Sequence, residues 1–416
     1  MNCHRPGEAS PFPLTNYEEV SQRAGQINLV TKSRYMPPWK PVAKISHFQK
    51  ELRLTDREIE LIELWTKAGN PHGNPSELPP TPTFPAGWQL GKPDFVVRFP
   101  ESVQLPAERN DVYQYFVIPS ELVQDRLISA VEFRPGNRDV IEYMALTCDT
   151  TGKARELDAA DPSPGYQRAG GPGFQPASLL GRWIPGARPH RYSQAIGRRI
   201  PAGADLVLGI HYRPSGKAEQ DRSKVGVHFA SGDHRIASAE ILVADTNLRI
   251  PPGEGELRHV ATYRLPMDVT LHSVSPHMRR LGRGIKVSAL LPNGSNFPLI
   301  QIDDWDFHWQ SRYLLRHPLR LPQGTRIEVE AVFDNSVENP YNPHLPPQRV
   351  QWGDRAVDEI ALCFFDVTTD RPHDMQRLSQ HNKQFLLKQS RRVQEQSKQK
   401  SGDLKTPDFL PNLREP

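Results

Sequence analysis

Cysteine is scarce in this sequence of 416 residues, which contains only Cys3, Cys148 and Cys363. Three thiols cannot build a disulfide scaffold or a zinc site with four thiolate ligands. Long apolar runs are also lacking, since no stretch approaches the roughly 18 residues that a membrane-spanning helix needs. Phosphate loops, dinucleotide fingerprints and hydrolase nucleophile elbows are absent as well, so no motif points to those enzyme classes.

Excess charge is confined to the C-terminal end. Residues 371–416 hold ten basic and five acidic residues, and the rest of the chain holds 42 basic and 43 acidic ones. A groove that binds the nucleic-acid backbone needs a surplus of Lys and Arg, so we predict no nucleic-acid partner. For the basic tail at 371–416 we predict a short exposed helix that grades into disorder.

Proline is abundant, with 41 residues, and it disfavours helix interiors and central strands. Turn signals such as Pro135-Gly136-Asn137 and Pro292-Asn293-Gly294 separate thirteen short strand patterns between 88 and 370. The strand candidates are 94–99, 112–118, 127–133, 140–148, 205–212, 224–230, 239–243, 260–265, 269–274, 285–291, 297–302, 326–333 and 357–365. We therefore predict a mainly β chain with two β-sandwich domains, at 91–240 and 241–370.

The first 70 residues have a different, helical pattern. Thr55 and Glu58 form a capping box ahead of the apolar residues of a helix that Gly69 can end. Residues 71–90 are rich in proline and predict a semi-rigid linker. The sequence therefore predicts a small all-α domain at 1–70, followed by this linker.

A haem-attachment pattern opens the chain. Covalent haem needs C-x-x-C-H, and Cys3 and His4 supply its second half. Met36 can be the opposite axial ligand. The first cysteine would fall one position before Met1. We expect an in-frame Cys codon directly upstream of Met1 and a signal sequence further up, while the alternative is a module that has lost this cysteine.

The surrounding sequence resembles a known module. CHRPGEASPFPLTNYEEV at 3–20 and VTKSRYMPPWKP at 30–41 resemble the small bacterial c-type cytochrome module that is typically fused to copper monooxygenases. This resemblance implies a cytochrome c-like domain at 1–70 that binds haem c through Cys3, His4 and Met36.

The β region also resembles a family. The motifs that carry the resemblance are AVEFRPGN at 130–137, DLVLGIHY at 205–212, SPHM at 275–278, DFHWQ at 306–310, FDNS at 333–336 and WGD at 352–354. They resemble the copper type II, ascorbate-dependent monooxygenases, which hydroxylate C–H bonds with O2. The resemblance implies two jelly-roll-like sandwiches, each with one copper, facing across a solvent-filled cleft. It also implies a periplasmic or secreted protein.

The resemblance places the family's six copper ligands on named residues. A His-His pair and a distant His hold the first copper, and these positions are Glu142, Tyr143 and His211. A His-x-His pair and a Met hold the second, and these positions are His277, Arg279 and Ile360. Only the two histidines keep a family ligand, so four of the six expected donors are missing.

These substitutions predict poor copper binding, because a guanidinium has no lone pair to offer and an isoleucine has no donor atom. We therefore predict a diverged, non-hydroxylating relative that binds a small-molecule ligand or a redox or envelope partner. One alternative is a working redox enzyme that its own haem domain feeds through an altered metal site, since Glu142, Tyr143 and His211 suit iron or zinc. Another is a structural envelope protein that makes contact through its basic tail. In the simplest interpretation, His211 and His277 are ordinary hydrogen-bonded histidines.

Overall fold

A computed structural model gives the fold of the chain. It describes residues 3–6, 10–43, 45, 47–78, 80, 87–99, 102–107, 111–185, 187–192, 196–231, 236–353, 355 and 357–400, without the side chains of 75, 372 and 390–400. Part of the predicted linker, Asp354 of the WGD motif and residues 401–416 of the predicted tail therefore lie outside the described residues.

The N-terminal region is helical, as predicted. It contains α1 (Tyr17–Ser21), α2 (Ala24–Lys32) and α3 (Asp56–Lys67), and a 3-10 turn at Pro75–Glu77 follows. The capping box is confirmed, because the Thr55 hydroxyl accepts the Glu58 N–H while the Glu58 carboxylate accepts the Thr55 N–H. Gly69 adopts a φ of 81°, the left-handed conformation that ends many helices.

The rest of the described chain is mainly β, which confirms the predicted fold class at that level. The strands are β1 (Phe95–Arg98), β2 (Val103–Leu105), β3 (Val112–Pro119), β4 (Arg126–Arg134), β5 (Ile141–Asp149), β6 (Tyr166–Gln167), β7 (Ser178–Trp183), β8 (His190–Arg191), β9 (Ile196–Ile200), β10 (Asp205–Tyr212), β11 (Glu219–Asp221), β12 (Lys224–Phe229), β13 (Ile236–Ala244), β14 (Arg249–Ile250), β15 (Leu257–Arg264), β16 (Val269–Met278), β17 (Gly282–Leu290), β18 (Asn296–Ile302), β19 (Tyr313–Leu321), β20 (Arg326–Phe333), β21 (Val350–Gln351) and β22 (Ala361–Thr368). Two further helices are α4 (Lys153–Ala160) and α5 (Pro372–Lys400). Each of the thirteen strand candidates overlaps one of these strands. The sequence did not predict helix α4 or the remaining nine strands, which are β2, β6, β7, β8, β9, β11, β14, β19 and β21.

Two hydrophobic cores define two sandwiches. In the first, the sheet β6-β3-β10-β5-β7 packs on β1, β12, β4 and β9, with Met144 and Leu208 facing Val225 and Val227 in one buried cluster. In the second, the sheet β15-β20-β17-β18 packs on β13, β22, β16 and β19. Alternating burial along strands such as β20 places one face of each sheet in the core.

One pair of strands joins the two sandwiches. β9 of the first pairs in parallel with β13 of the second, at Ile196 with Ile236 and at Gly197 with Ala237, so nine strands form one continuous sheet. The chain passes from the first sandwich to the second between the end of β12 at Phe229 and the start of β13 at Ile236. The predicted division between 240 and 241 therefore falls inside β13. The first residues of this strand look polar in the sequence, but they pair with β9 and β22.

Part of the N-terminal region packs into the second sandwich. Phe48 is 2% exposed and belongs to that core, where its ring and the Trp39 ring contact Tyr313. Phe48 also bridges to Leu315, and the Val42 N–H donates to the Gln301 carbonyl. The helical region is thus anchored to the second sandwich by residues 39–49.

The prediction of a short exposed tail helix is wrong. Helix α5 extends over 29 residues, and Met375, Leu378 and Leu386 are buried against the second sandwich. The Asn382 amide pairs with both backbone groups of Leu242, on the free edge of β13. The apolar residues recur at helical spacing and so form one face, which the polar residues between them obscure. Among the described residues, no helix has the length and apolarity needed to cross a membrane.

Replacing Leu378 with alanine tests this docking. Leu378 is fully buried, so we expect the Leu378→Ala variant to lose about 2–5 kcal/mol of unfolding free energy through the cavity it leaves. Gln376→Ala on the exposed side of the same helix is the control and should change stability by less than about 0.5 kcal/mol. Both values come from denaturant titrations. Equal values for the two variants would mean that α5 does not pack on the sandwich.

Candidate functional site

The first group of predicted residues lies on two neighbouring strands. Strand β10 is an almost fully buried apolar strand that pairs with β3 and β5, and His211 near its end stands opposite both Tyr113 and Tyr143. The register shifts after His211, so that Tyr212 pairs with Ile141 and Glu142 becomes an extra residue. Such a bulge lets two consecutive side chains approach the same neighbour. The structure therefore brings Glu142, Tyr143 and His211 together.

His211 is held between carboxylates and an aromatic ring. Its Nδ1 lies 3.7 Å from Glu142 Oε2, and its Nε2 lies 3.3 Å from Asp111 Oδ2. The imidazole stacks on Tyr113 with ring centroids 4.2 Å apart and planes 9° apart. Burial lowers the pKa of His211, and the two carboxylates oppose this shift only in part. The imidazole is therefore neutral near pH 7.

Glu142 is already engaged by a cation. The Arg213 guanidinium donates to Glu142 Oε1 at 2.8 Å, so the carboxylate charge is balanced without a metal. Within the described part of the chain, no three or more His, Cys, Asp or Glu side chains converge in a metal-binding arrangement. The arrangement is therefore an ion-pair cluster around a neutral histidine.

The second group lies at the ends of two strands of the second sandwich. His277 is on β16, and the pairing of Met278 with Ala361 of β22 places Arg279 and Ile360 just beyond the same end of the ladder. His277 Nδ1 is 2.7 Å from Gln310 Oε1, and its ring meets the Phe364 ring edge-on. Burial lowers the pKa of His277 to about 3, and the Arg182 charge adds to this effect.

Glu359 fixes this end of the strands, a role that the sequence did not indicate. Its buried carboxylate accepts the backbone N–H groups of Arg279, Leu281 and Ile360. Burial raises the pKa of Glu359 to about 7, although the hydrogen bonds from these three donors act to lower it. The Arg279 guanidinium also donates to the Arg355 carbonyl. Glu359 therefore holds the backbones of Arg279 and Ile360 in place.

The two groups face each other across the contact between the sandwiches. The Arg279 charge contributes to the lowered pKa of His211, which lies on the other sandwich. Arg182 of β7 acts on both Tyr143 and His277, so it lies between the groups. Tyr143 is 36% exposed, yet protein atoms surround it, and the resulting loss of bulk water raises its pKa. The contact between the two groups is thus rich in charge.

A network of ion pairs lies at this contact between the sandwiches. Arg182 and Arg198 donate to the same oxygen of Glu240 at 2.9 and 3.1 Å, and Arg312 approaches that oxygen at 4.0 Å. Arg198 and Arg312 also pair with Asp366. Sequence analysis missed these residues. The available signal was a single acidic residue inside each of two apolar strands, at 240 and 366.

No contact joins Met36 to Cys3 or His4, the other predicted haem ligands, among the described residues. His4 Nδ1 lies 2.7 Å from the Ser10 hydroxyl and 3.2 Å from the Phe12 carbonyl, and Cys3 is half-buried. Met36 lines a cavity of about 420 Å³ between the helical region and the second sandwich. The other lining residues include Thr31, Trp39, Arg53, Leu54, Ile59 and Asp303. Of the described residues, Cys3 and His4 do not line this cavity.

Comparisons with known proteins add little. No protein-family model matches the sequence, and no curated protein is significantly similar to it. Among solved structures, a peptide-N(4)-(N-acetyl-β-D-glucosaminyl) asparagine amidase aligns at 11% identity over 65% of this chain and 97% of its own, with a TM-score of 0.29. An infectious bursal disease virus structure aligns at 10% identity over 68% of this chain and 74% of its own, with a TM-score of 0.20. Scores this low establish neither a shared fold nor a shared function.

Proposed function

We propose that this chain is a diverged, non-hydroxylating relative of the copper- and ascorbate-dependent monooxygenases. One observation carries the proposal. The six positions that the resemblance assigns to copper ligands extend from 142 to 360 in the sequence, yet they lie in two groups of three, one on each sandwich. A jelly-roll topology for each sandwich and a periplasmic or secreted location are parts of the same proposal.

The donors do not fit copper. Copper that cycles between two oxidation states prefers imidazole and thioether ligands. Glu142 is paired with Arg213, Arg279 offers a cation in place of a lone pair, and Ile360 is apolar. No hydroxylation step is therefore assigned to this cleft. Its chemistry is that of a charged binding site between two rigid sandwiches, and a small-molecule ligand is the proposed occupant.

Haem c is a second part of the proposal, and some residues fit it. A haem-ligating histidine commonly donates its other ring nitrogen to a carbonyl, and His4 Nδ1 lies within reach of the Phe12 carbonyl. His4 and Met36 would then be the residues that hold the haem iron, and Cys3 would be the residue that attaches the group to the chain. When bound, haem would supply one-electron transfer, and this favours the alternative of a redox protein. The anchoring of residues 39–49 would keep it beside the second sandwich.

Ascorbate-driven oxygen uptake tests the proposal. The purified chain is loaded with copper, passed through a gel filtration column to remove weakly bound metal, and mixed with ascorbate in an oxygen electrode. We expect uptake no faster than in the column eluate without protein, because the cleft retains no copper. Sustained protein-dependent uptake would instead support the alternative of a working redox enzyme.

A further inference from the structure

A cavity lies between the helical region and the second sandwich. Its volume is about 420 Å³, which falls within the roughly 300–1,000 Å³ of sites that bind small molecules. Residues of α2 and α3 line one side of it, and the chain just after β18 lines another. Its apolar lining residues are Met36, Pro37, Trp39, Val42, Leu54 and Ile59. The cavity is therefore built to cover an apolar molecule of small size.

The mouth of this cavity is open to solvent. Arg34 and Asp304 line the cavity, and their side chains are 48% and 89% exposed, so a molecule can enter between them. Their charges are balanced, because Arg34 pairs with Asp56, and Asp304 accepts from Lys40 at 2.7 Å. Entry to the cavity therefore does not require these ion pairs to break.

Arg53 is the cation of the lining that these pairs leave over. It is half-buried, and its Nη2 donates to the Pro41 carbonyl, which is a neutral acceptor. Its Nε is buried without a hydrogen-bond partner, whereas its Nη1 makes no hydrogen bond with a described residue and stays accessible. Burial lowers the pKa of Arg53, an effect that Glu51 opposes and Arg34 reinforces. The guanidinium therefore offers the cavity a positive charge that is incompletely compensated and a donor that ligands can reach.

We propose that this cavity binds a small carboxylic acid with an apolar body, whose carboxylate accepts from the Arg53 guanidinium. The planar donors of arginine suit a carboxylate, and hydrogen bonds between charged groups are stronger than those between neutral groups. The apolar body lies against Trp39 and its apolar neighbours. Asp303, the carboxylate left over in the lining, is exposed at the edge and accepts from the Gln301 amide, so it does not occupy Arg53.

This site is separate from both parts of the proposed function. Its lining includes none of the six positions that the resemblance assigns to copper ligands, and none of the residues of the ion-pair network between the sandwiches. Among the predicted haem ligands, Met36 alone lines the cavity. We therefore expect one ligand molecule per chain, whatever haem content the Soret absorption of the same sample reports. A stoichiometry that followed the haem content would assign the cavity to haem and overturn the proposal.

Calorimetric titration of the full chain with phenylacetate, phenylacetamide and phenethylamine tests the proposal. These three probes share an aromatic body and differ in charge, so their order of affinity identifies the charge that the cavity prefers. We expect phenylacetate to bind about 10- to 100-fold more tightly than the neutral amide, as is typical of a hydrogen bond between charged groups. The cationic amine should bind most weakly. Equal binding of phenylacetate and the amide, tightest binding of the amine, or no saturable binding of any probe would overturn the proposal.

Substitution of Arg53 tests its role as the binding residue. Arg53→Met keeps an apolar stem and removes the guanidinium, so phenylacetate should lose its advantage over the amide while the amide binds as before. Arg53→Lys keeps the charge and should retain part of this advantage. Arg57→Met, which removes an exposed cation of α3 that pairs with Glu60, is the control and should bind all three probes as the unmodified chain does. An Arg53→Met variant that still preferred phenylacetate would overturn the assignment.

Filling the cavity tests its location. Ala43 lines the cavity and is exposed, so Ala43→Trp places a large ring at its edge without burying a polar group. We expect this variant to bind phenylacetate and the amide more weakly by the same factor. Unchanged binding of both would show that the probes bind elsewhere and would overturn the proposal. If Arg53→Met lost amide binding as well, the cavity itself would be altered, and the order of affinity in the unmodified chain together with Ala43→Trp would decide.

Discussion

Replacing Asp366 with asparagine should destabilise the folded chain by about 3–5 kcal/mol, the usual cost of breaking a buried ion pair from one side. Asp366 is 1% exposed and pairs with Arg198 and Arg312, while its second oxygen accepts from the Ser273 hydroxyl. Removing its charge leaves three guanidiniums with one carboxylate in a region with little water. Denaturant titration at neutral pH measures the loss.

The same network predicts a pH dependence. Burial raises the pKa of Asp366, but Arg198 and Arg312 more than offset this and hold it well below its ordinary value of 3.8. A carboxyl group whose pKa is lowered by folding stabilises the folded chain at pH values above its ordinary pKa of 3.8. This stabilisation is lost as the pH falls toward the pKa of the folded state. The difference in unfolding free energy between the unmodified chain and Asp366→Asn should therefore become smaller as the pH is lowered.

An exposed pair gives the control for Asp366. Glu60 pairs with Arg57 on the surface of α3, and both side chains are more than half exposed. Glu60→Gln should cost no more than about 1 kcal/mol, because surface ion pairs contribute little. If Asp366→Asn cost no more unfolding free energy than Glu60→Gln, the buried ion-pair network would contribute no more to stability than a surface pair.

Installing the four donors that the proposed family relationship calls for should create copper binding. The variant combines Glu142→His, Tyr143→His, Arg279→His and Ile360→Met. Residue 143 stands directly opposite His211, a spacing of about 4.5–5.5 Å that lets two imidazoles share one metal ion. Residue 279 follows His277 by two positions and is held through its backbone by Glu359. We expect one copper ion at each group, measured by metal analysis after gel filtration.

Hydroxylation requires more of the site than copper binding does. Neighbouring side chains already contact the ring nitrogens of both histidines: Gln310 contacts His277 Nδ1, and Asp111 lies beside His211 Nε2. Because such neighbours orient each ligand, we expect the repaired variant to bind copper with little or no hydroxylation. A folded variant that bound no copper would show that the assignment of ligand positions is out of register, with 142 or 360 the first to reconsider.

Most of the fold follows from local signals in the sequence. Alternating apolar residues and Pro-Gly turns predicted thirteen strands, and the Thr55 capping box predicted the start of α3. Several of the strands that were not predicted lack this alternation of apolar residues. β9 (IGRRI) carries two arginines, and β19 (YLLRHPLRL) contains a proline and charged residues. Only tertiary contacts explain them, since Arg198 of β9 is neutralised by residues more than 40 positions away.

The candidate site was also predictable only in part. Resemblance to a family proposed two groups of residues, and the structure places Glu142, Tyr143 and His211 of the first group on the neighbouring strands β5 and β10. The ion network was not predictable, since its five members lie between 182 and 366 and no motif links them. The packing of α5 was missed for a related reason: its apolar residues are outnumbered by polar ones, and the surface that they cover belongs to a strand far away in the sequence.

Copper affinity of the unmodified chain tests the central claim most directly. The reduced protein competes for Cu(I) with a chromophoric chelator, and the metal content of the protein is then measured after gel filtration. The account predicts that the chelator retains the copper, because Glu142, Tyr143, Arg279 and Ile360 do not supply the imidazole and thioether donors that copper prefers. Tight binding of one copper ion at each group by the unmodified chain would contradict it.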